Sequence, residues 1–405
     1  MRIKVQNKKS AITLPKGFKA SGIGCGIKRS GKFDLALLYS EKKAKAAAVF
    51  TTNRLKAWPV IIGKKHITSS LIQAVIVNSG NANCANGEKN KEKVKKCCKV
   101  LAEELGISPY EVFPSSTGII GRDLPLDKIL THIPRLVKGL SKTRGHSAAR
   151  AILTTDTRTK EASVSFLAYG KKITISAMAK GSGMINPNMA TMLVFITTDL
   201  NISKALLNQA LRDVNECTFN MICIDNDRST NDTVLILANG AAGNESIIKK
   251  GKDYYNFVNA LEVLCSYIAK EIVCDGEGVT KVCKIFIDRA KNEKHAKLAA
   301  RSIAHSMLFK TALHGSDPNW GRIVAVLGSL SDIDCNFNRM KVAFDKYIVY
   351  KNGKPLNRNL PGARKALKKK EVDIHVDLAS GRAGASFLTS DLSREYIAIN
   401  SYYTT

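Results

Sequence analysis

Six loops dominated by Gly, Asn, Ser and Thr punctuate the apolar, β-branched runs of this chain: "NSGNANCANG", "PSSTGIIG", "LTTDTRTK", "KGSGMINPNMAT", "DRSTNDT" and "DGEGVTK". Such residues end strands because Gly tolerates positive φ and the short polar side chains bond to nearby backbone. One loop of this kind is an ordinary turn. Six of them at the ends of buried strands imply polar strand ends that line a shared site. Between the loops, "KEKVKKCCKVLAEELGI", "SKALLNQALRDVNECTF" and "YNFVNALEVLCSYIAKEIVCD" have apolar residues at helical spacing, with Ser203 as N-cap of the second. The alternation of strand, loop and helix predicts an α/β protein.

Finer features follow the same pattern. "EVFPSSTGIIG" reads as a strand that breaks at Gly118, and "DLPLDKILTHIPRLVKGL" as a helix opened by Asp123 and Pro125. "KEASVSFLAYG", "KKITISAMAKGSG" and "ATMLVFITTDL" predict three further strands, and "ITSSLIQAVIVN" another. From about Val282 the pattern restarts with the strand "KVCKIFIDRA", the helix "KLAARSIAHSMLFKTALHG" and a hairpin at Asn352-Gly353. A boundary near residue 281 therefore divides the chain into domains 1–280 and 281–405.

Composition narrows the function. With 405 residues, 44% apolar and 24% charged, the chain can bury a sizeable core in water. The longest apolar runs, such as Leu193 to Ile196, fall far short of the roughly 20 residues of a membrane span. The N-terminus "MRIKVQNKKSAITLPKGFKASG" has no apolar signal core and is not an Arg- and Ser-rich transit helix, so the expected location is cytoplasmic. Ten Cys without a C-x-x-C pair and seven His without H-E-x-x-H predict buried thiols and no metal site. The excess of 63 basic over 34 acidic residues, +29 in all, would suit nucleic acid. The Lys are spread along helices without interleaved aromatics, so solvated helix faces are expected, with nucleic-acid binding as an alternative class.

Chemistry concentrates in "KGSGMINPNMATMLVFITTD", where Thr191 opens a β-branched run after Gly, Pro and Asn. A Thr hydroxyl needs a base, and no Ser-His-Asp pattern or G-x-S-x-G elbow accompanies it. Its own α-amine, with a pKa near 7.7 to 8.0, becomes that base if the bond from Ala190 to Thr191 is cut. Nucleophile and base would then arise together. The residues alone leave an ordinary strand Thr open as well.

At this point the chain resembles the glutamate N-acetyltransferase / ornithine acetyltransferase (ArgJ) family. The resemblance runs through "GFKASGIGCGIK", "AVFTTNRLKAWPV", "VNSGNANCANG", "PSSTGIIG", "LTTDT", "KGSGMINPNMATMLVFITTD", "STNDTVLILANG", "DGEGVTK", "SMLFKTALHGSDPNWGRI" and the terminal "INSYYTT". It implies a self-cleaving N-terminal-nucleophile acyltransferase in which Thr191 takes the acetyl group of N-acetylornithine and passes it to glutamate. Thr117 and Gly118 would form the oxyanion hole. Thr154, Lys180, Thr191, Glu277, Asn400 and Thr405 would contact substrate. Lys180 suits a carboxylate and Glu277 an ammonium group; without the resemblance each reads instead as a solvated charge.

The fold implied is an α/β sandwich layered αββα, like self-processing hydrolases, with a smaller α/β C-terminal domain whose tail returns to the site. The assembly implied is an α2β2 heterotetramer of pieces 1–190 and 191–405. No cofactor or membrane is implied, and acetyl-CoA stays open as a second acetyl donor. A Thr-nucleophile amidohydrolase or aminopeptidase, with water as acceptor, is the alternative enzyme. Two positions depart from the family pattern: Leu388 and Ser390 stand where Trp and Cys are expected.

Overall fold

A computed structural model describes residues 3–186 and 192–402; Ala190, Thr191 and Thr405 lie outside the described residues. The chain begins with β1 (Phe18–Ile23) and the long β2 (Leu35–Phe50), followed by α1 (Trp58–Ser69), β3 (Ile72–Asn81), α2 (Lys89–Leu105) and β4 (Val112–Ile119). Then come α3 (Leu126–Lys138), α4 (Gly145–Ala151), β5 (Lys160–Ala168), β6 (Lys171–Lys180), β7 (Leu193–Thr198) and α5 (Lys204–Cys217). The strand expected from Ile67 starts later, because α1 runs to Ser69. Helix α3 begins one residue after the expected Pro125, and Ser203 caps α5 by accepting from the Leu206 N–H.

The sheet order is β4-β3-β2-β9-β7-β6-β5, where β9 is Thr233–Ala238 and β1 pairs with β2. Strand β2 joins two halves. Its start pairs with β1 and β3, the register slips between Tyr39 and Ala44, and Lys45 to Phe50 pair with β9. The halves then face each other across a core holding Leu38, Val75 and Val77 from one and Phe195, Leu235 and Leu237 from the other. Alternation along each strand sends the intervening residues outward. Val194, Ile196, Val234 and Ile236 pack under α5 and under α6 (Lys252–Cys274), while Leu35, Leu37, Ala74 and Ile76 pack under α2 and α3. Helix, sheet, sheet, helix is the expected αββα layering.

A second sheet, with its own core, contains β8 (Ile222–Cys223) and β10 (Val282–Ala290). It is completed by α7 (Glu293–His305), α8 (Met307–His314), α9 (Trp320–Gly328), β11 (Lys341–Phe344), β12 (Tyr347–Lys351), β13 (Lys354–Pro355), α10 (Leu360–Ala366), β14 (Glu371–Asp377) and β15 (Ala383–Ser390). Its order is β13-β12-β11-β14-β10-β15-β8, so the edge strand β8 comes from before residue 281. The single helix expected over 297–315 is two, because the Ser306 hydroxyl accepts from the Phe309 N–H and restarts the chain as α8. Asn352 and Gly353, both at positive φ, turn β12 into β13. The departures Leu388 and Ser390 fall on β15, where Leu388 packs on the first core and the Ser390 carbonyl accepts from the buried Lys310 ammonium at 2.5 Å. Among the described residues no helix is long and apolar enough to cross a membrane.

The final helix, α11 (Arg394–Tyr402), returns to the first sheet. The Ser393 hydroxyl donates to the Gly278 carbonyl at 2.6 Å and accepts from the Tyr396 N–H at 3.1 Å, which ties the start of α11 to the loop after α6.

Candidate active site

Polar ends of the central strands meet the loop after α6 and the inner side of α11 in a cleft of about 600 Å3. Thr117, Gly118, Thr154, Lys180, Glu277 and Asn400 all line it. They come from five separate stretches of chain. Of the six polar loops, those after α4 and α6 follow helices rather than the expected strands, yet both reach the cleft through Thr154 and Glu277.

Each side chain is held for a physical reason. Thr117 is buried near the end of β4, and Gly118 beside it has φ +132. A Cβ on Gly118 would stand 2.4 Å from the Gly80 carbonyl carbon of β3, so only Gly lets the two strands close here. Lys180 ends β6 almost fully buried, its Nζ 3.9 Å from Asp156 Oδ2. Burial lowers its pKa, and the carboxylates of Asp156 and Glu277 only partly restore it. Asp156 also accepts from the Thr154 N–H at 3.0 Å, the Gly181 N–H at 2.7 Å and Lys160 Nζ at 2.7 Å. Burial alone would raise its pKa, but Lys180 and Lys160 outweigh that and hold it below the usual carboxylate range. One carboxylate thus fixes both the Thr154 loop and the end of β6.

Glu277 is anchored from two sides. Its N–H donates to the Ser182 carbonyl at 3.1 Å, and its carboxylate accepts from Asn400 Nδ2 at 3.0 Å. A Cβ on Gly183 would lie 2.6 Å from Glu277 Oε2, so the Gly-Ser-Gly turn makes room for the carboxylate as well as bending the chain.

The described residues on either side of Thr191 in sequence are each held by a carboxylate. Asp225 accepts from the Met184 N–H at 2.6 Å and the Ile185 N–H at 2.9 Å, and the Asn186 amide donates to the Asn226 carbonyl. On the other side, the Met192 N–H donates to Asp232 Oδ1 at 3.0 Å.

The cleft also contains residues the sequence did not single out: Thr155, Asp225, Asp227, Asn231 and Tyr396. Its charged lining among the described residues is Lys180 with Asp225, Asp227 and Glu277, which complements a molecule bearing a carboxylate and more than one amino group. A second, basic groove of about 1190 Å3 opens from the same Gly118 and Thr154, lined by Lys28, Arg29, Lys32 and Arg122.

Burial pushes the Asp225 carboxyl up to about 7 despite the N–H groups it accepts. In the unfolded chain its pKa is about 3.9. The folded state therefore binds the extra proton, and the stability this gives is full below about pH 4 and lost as pH rises through about 7. Asp225→Asn removes that dependence. Between mildly acidic and mildly alkaline pH, wild type should lose on the order of 2 kcal/mol relative to the variant, read as converging melting curves. Parallel pH profiles would show that Asp225 is ionised throughout.

The ArgJ family model matches residues 19–405. Similar curated proteins include "Arginine biosynthesis bifunctional protein ArgJ" of Caldanaerobacter subterraneus subsp. tengcongensis, 45% identical over 97% of this chain and 98% of its own. "Arginine biosynthesis bifunctional protein ArgJ 1" of Clostridium acetobutylicum is 44% identical over 99% of each chain. Among solved structures, arginine biosynthesis bifunctional protein argJ from Bacillus halodurans is 37% identical with a TM-score of 0.50, covering 52% of this chain and 98% of the solved one. Agreement of this kind along the full length places the chain in the ArgJ family.

Proposed function

We propose that this chain is an acetyltransferase of arginine biosynthesis that moves the acetyl group of N-acetylornithine to glutamate through an ester on Thr191. The observation that carries the proposal is the convergence of Thr117, Gly118, Thr154, Lys180, Glu277 and Asn400 on one cleft, with Met184 and Met192, which flank Thr191 in sequence, each held by a carboxylate. The Ala190–Thr191 bond is cut first, which frees the α-amine that serves as base. The Thr191 hydroxyl then attacks the acetyl carbonyl, and the Thr117 hydroxyl and Gly118 N–H stabilise the oxyanion, a contribution of about 3 to 4 kcal/mol per donor. Ornithine leaves, glutamate enters, and its amine takes the acetyl group. Lys180 holds the carboxylate of either amino acid, and Glu277, positioned by Asn400, holds the ammonium end of ornithine. Thr154 and the terminal Thr405 complete the binding surface.

Three further parts of the reading rest on separate grounds. The Bacillus halodurans chain matches over nearly all its length to about half of this one, which suits a protein of two pieces, assembled here as α2β2. The basic groove joined to the cleft suits the phosphates of acetyl-CoA, so we include that thioester as a second donor. Residence in the cytoplasm fits a small-molecule biosynthetic role.

The test supplies glutamate with either N-acetylornithine or acetyl-CoA and measures N-acetylglutamate. Formation from N-acetylornithine, with at most one equivalent of ornithine released per site until glutamate is present to permit turnover, is the expected result. Ornithine release in buffer alone at the same rate would make the protein a hydrolase. Absence of product from either donor would overturn the assignment.

A further inference from the structure

Lys160, the first residue of β5, places its ammonium between two carboxylates, with Nζ 2.7 Å from Asp156 Oδ1 and 2.5 Å from Asp275 Oδ2. All three side chains are at most 3% exposed. A Lys is almost never buried so deeply unless it is paired, and this one serves two anions at once. It is not part of the cleft lining.

Each carboxylate belongs to a different end of the cleft. Asp156 accepts from the Thr154 and Gly181 N–H groups, and so fixes the loop and the strand end that present Thr154 and Lys180. Asp275 stands in the loop that presents Glu277. Its carbonyl accepts from the Ser182 hydroxyl at 2.6 Å, and the Glu277 N–H donates to the Ser182 carbonyl. Both of those ties converge on Ser182, about which the loop could still pivot. The Lys160 ammonium, together with the Thr157 N–H at 3.2 Å, attaches Asp275 a second time, to the stretch 154–160.

Taking Lys180 as the site of the substrate carboxylate and Glu277 as the site of its distal ammonium group, we propose that Lys160 is a positioning residue that sets the distance between them. It thereby sets the length of diamino acid that the cleft accepts. Across a fixed span, a donor one methylene longer must buckle or leave one charged end poorly paired. Without the Lys160 ammonium, two buried carboxylates face each other, and they must move apart or one must take up a proton and give up its bonds. Either change frees the Glu277 loop to shift relative to Lys180, and the longer donor is then no longer penalised.

Full-length wild type and Lys160→Met, which keeps the length of the side chain and removes its charge, are supplied with glutamate and either N-acetylornithine or Nα-acetyllysine. The quantity read is the ratio of kcat/KM for the two donors. Wild type should favour N-acetylornithine by on the order of 10- to 200-fold, the usual worth of one methylene. Lys160→Met should bring that preference close to one. The ratio does not depend on how much of a preparation is folded and cut, so a role in stability alone would lower both values together. An unchanged ratio therefore overturns the proposal, as does a wild type that uses both donors equally. Where Lys160→Met gives no active protein, Lys160→Met combined with Asp275→Asn, which removes the surplus anion without restoring the tie, is measured in its place. A wild-type ratio in that variant, or no active protein from either, also overturns the proposal, because Lys160 would then serve the core alone. A wild type that transfers from neither donor would instead remove the assignment of Lys180 and Glu277 on which the inference rests.

Discussion

Thr191→Ala is expected to leave one uncut chain with no acetyl transfer, the largest effect of any single substitution here. In the proposed mechanism the same hydroxyl performs both the cut and the later turnover, so its loss should remove both. Thr191→Ser should keep part of each, at a lower rate, because the missing methyl no longer helps to fix χ1 and the line of attack. The surroundings make the experiment clean. Asp225 and the Asn226 carbonyl hold the chain up to Asn186, and Asp232 holds it again at Met192, through contacts that none of these substitutions touches. Mass spectrometry of wild type should give two pieces meeting at Ala190 and Thr191. Brief exposure to N-acetylornithine should add one acetyl group to the second. An active Thr191→Ala protein, or an uncut wild type with full activity, would end the mechanism.

The second large effect is expected from Glu277→Gln. The carboxylate is mostly buried and already accepts one bond from Asn400, so an ammonium group bound there meets a desolvated charge. Its loss should reduce transfer by on the order of 2 to 5 kcal/mol while cutting proceeds normally. Gln preserves shape beside Gly183, where there is no space for a larger group. Transfer at the wild-type rate would take Glu277 out of the site, and an uncut variant would give it a part in maturation.

Legibility in the sequence followed locality. The strand ends at Gly80, Gly118 and Lys180 announce themselves because the turn chemistry and the apolar run lie within a few residues of each other. Helix α1 does not, since Val60, Ile62 and Ile67 pack into three different apolar clusters and leave no single apolar stripe. The break at Ser306 is hidden because an apolar stripe continues across it, and only the cap bond to Phe309 reveals the restart. In the cleft, the resemblance identified Glu277 and Asn400, but their contact spans 123 residues and appears only in three dimensions. Asp225 and Asp232 differ little in sequence from the exposed acids around them. The burial of Asp232 and the N–H groups both accept set them apart, and neither is a local property.

The order of strands in the first sheet has a consequence for how such a protein can be made at all. Strands β2 and β6 precede Ala190 and strands β7 and β9 follow it, and β9 lies between β2 and β7. A cut between β6 and β7 leaves ladders of six residue pairs on each side that run from one polypeptide to the other. Neither fragment, synthesised alone, could close its half of the sheet; each would expose long apolar strand edges that pair as readily with the wrong partner. Joined in one polypeptide, the same edges find each other by loop closure rather than by collision. The precursor therefore acts as a folding template for its own fragments, and a gene split at residue 190 should give mostly aggregate. Mature protein, once melted, should not regain its fold, so its lifetime is governed by the rate of unfolding rather than by an equilibrium.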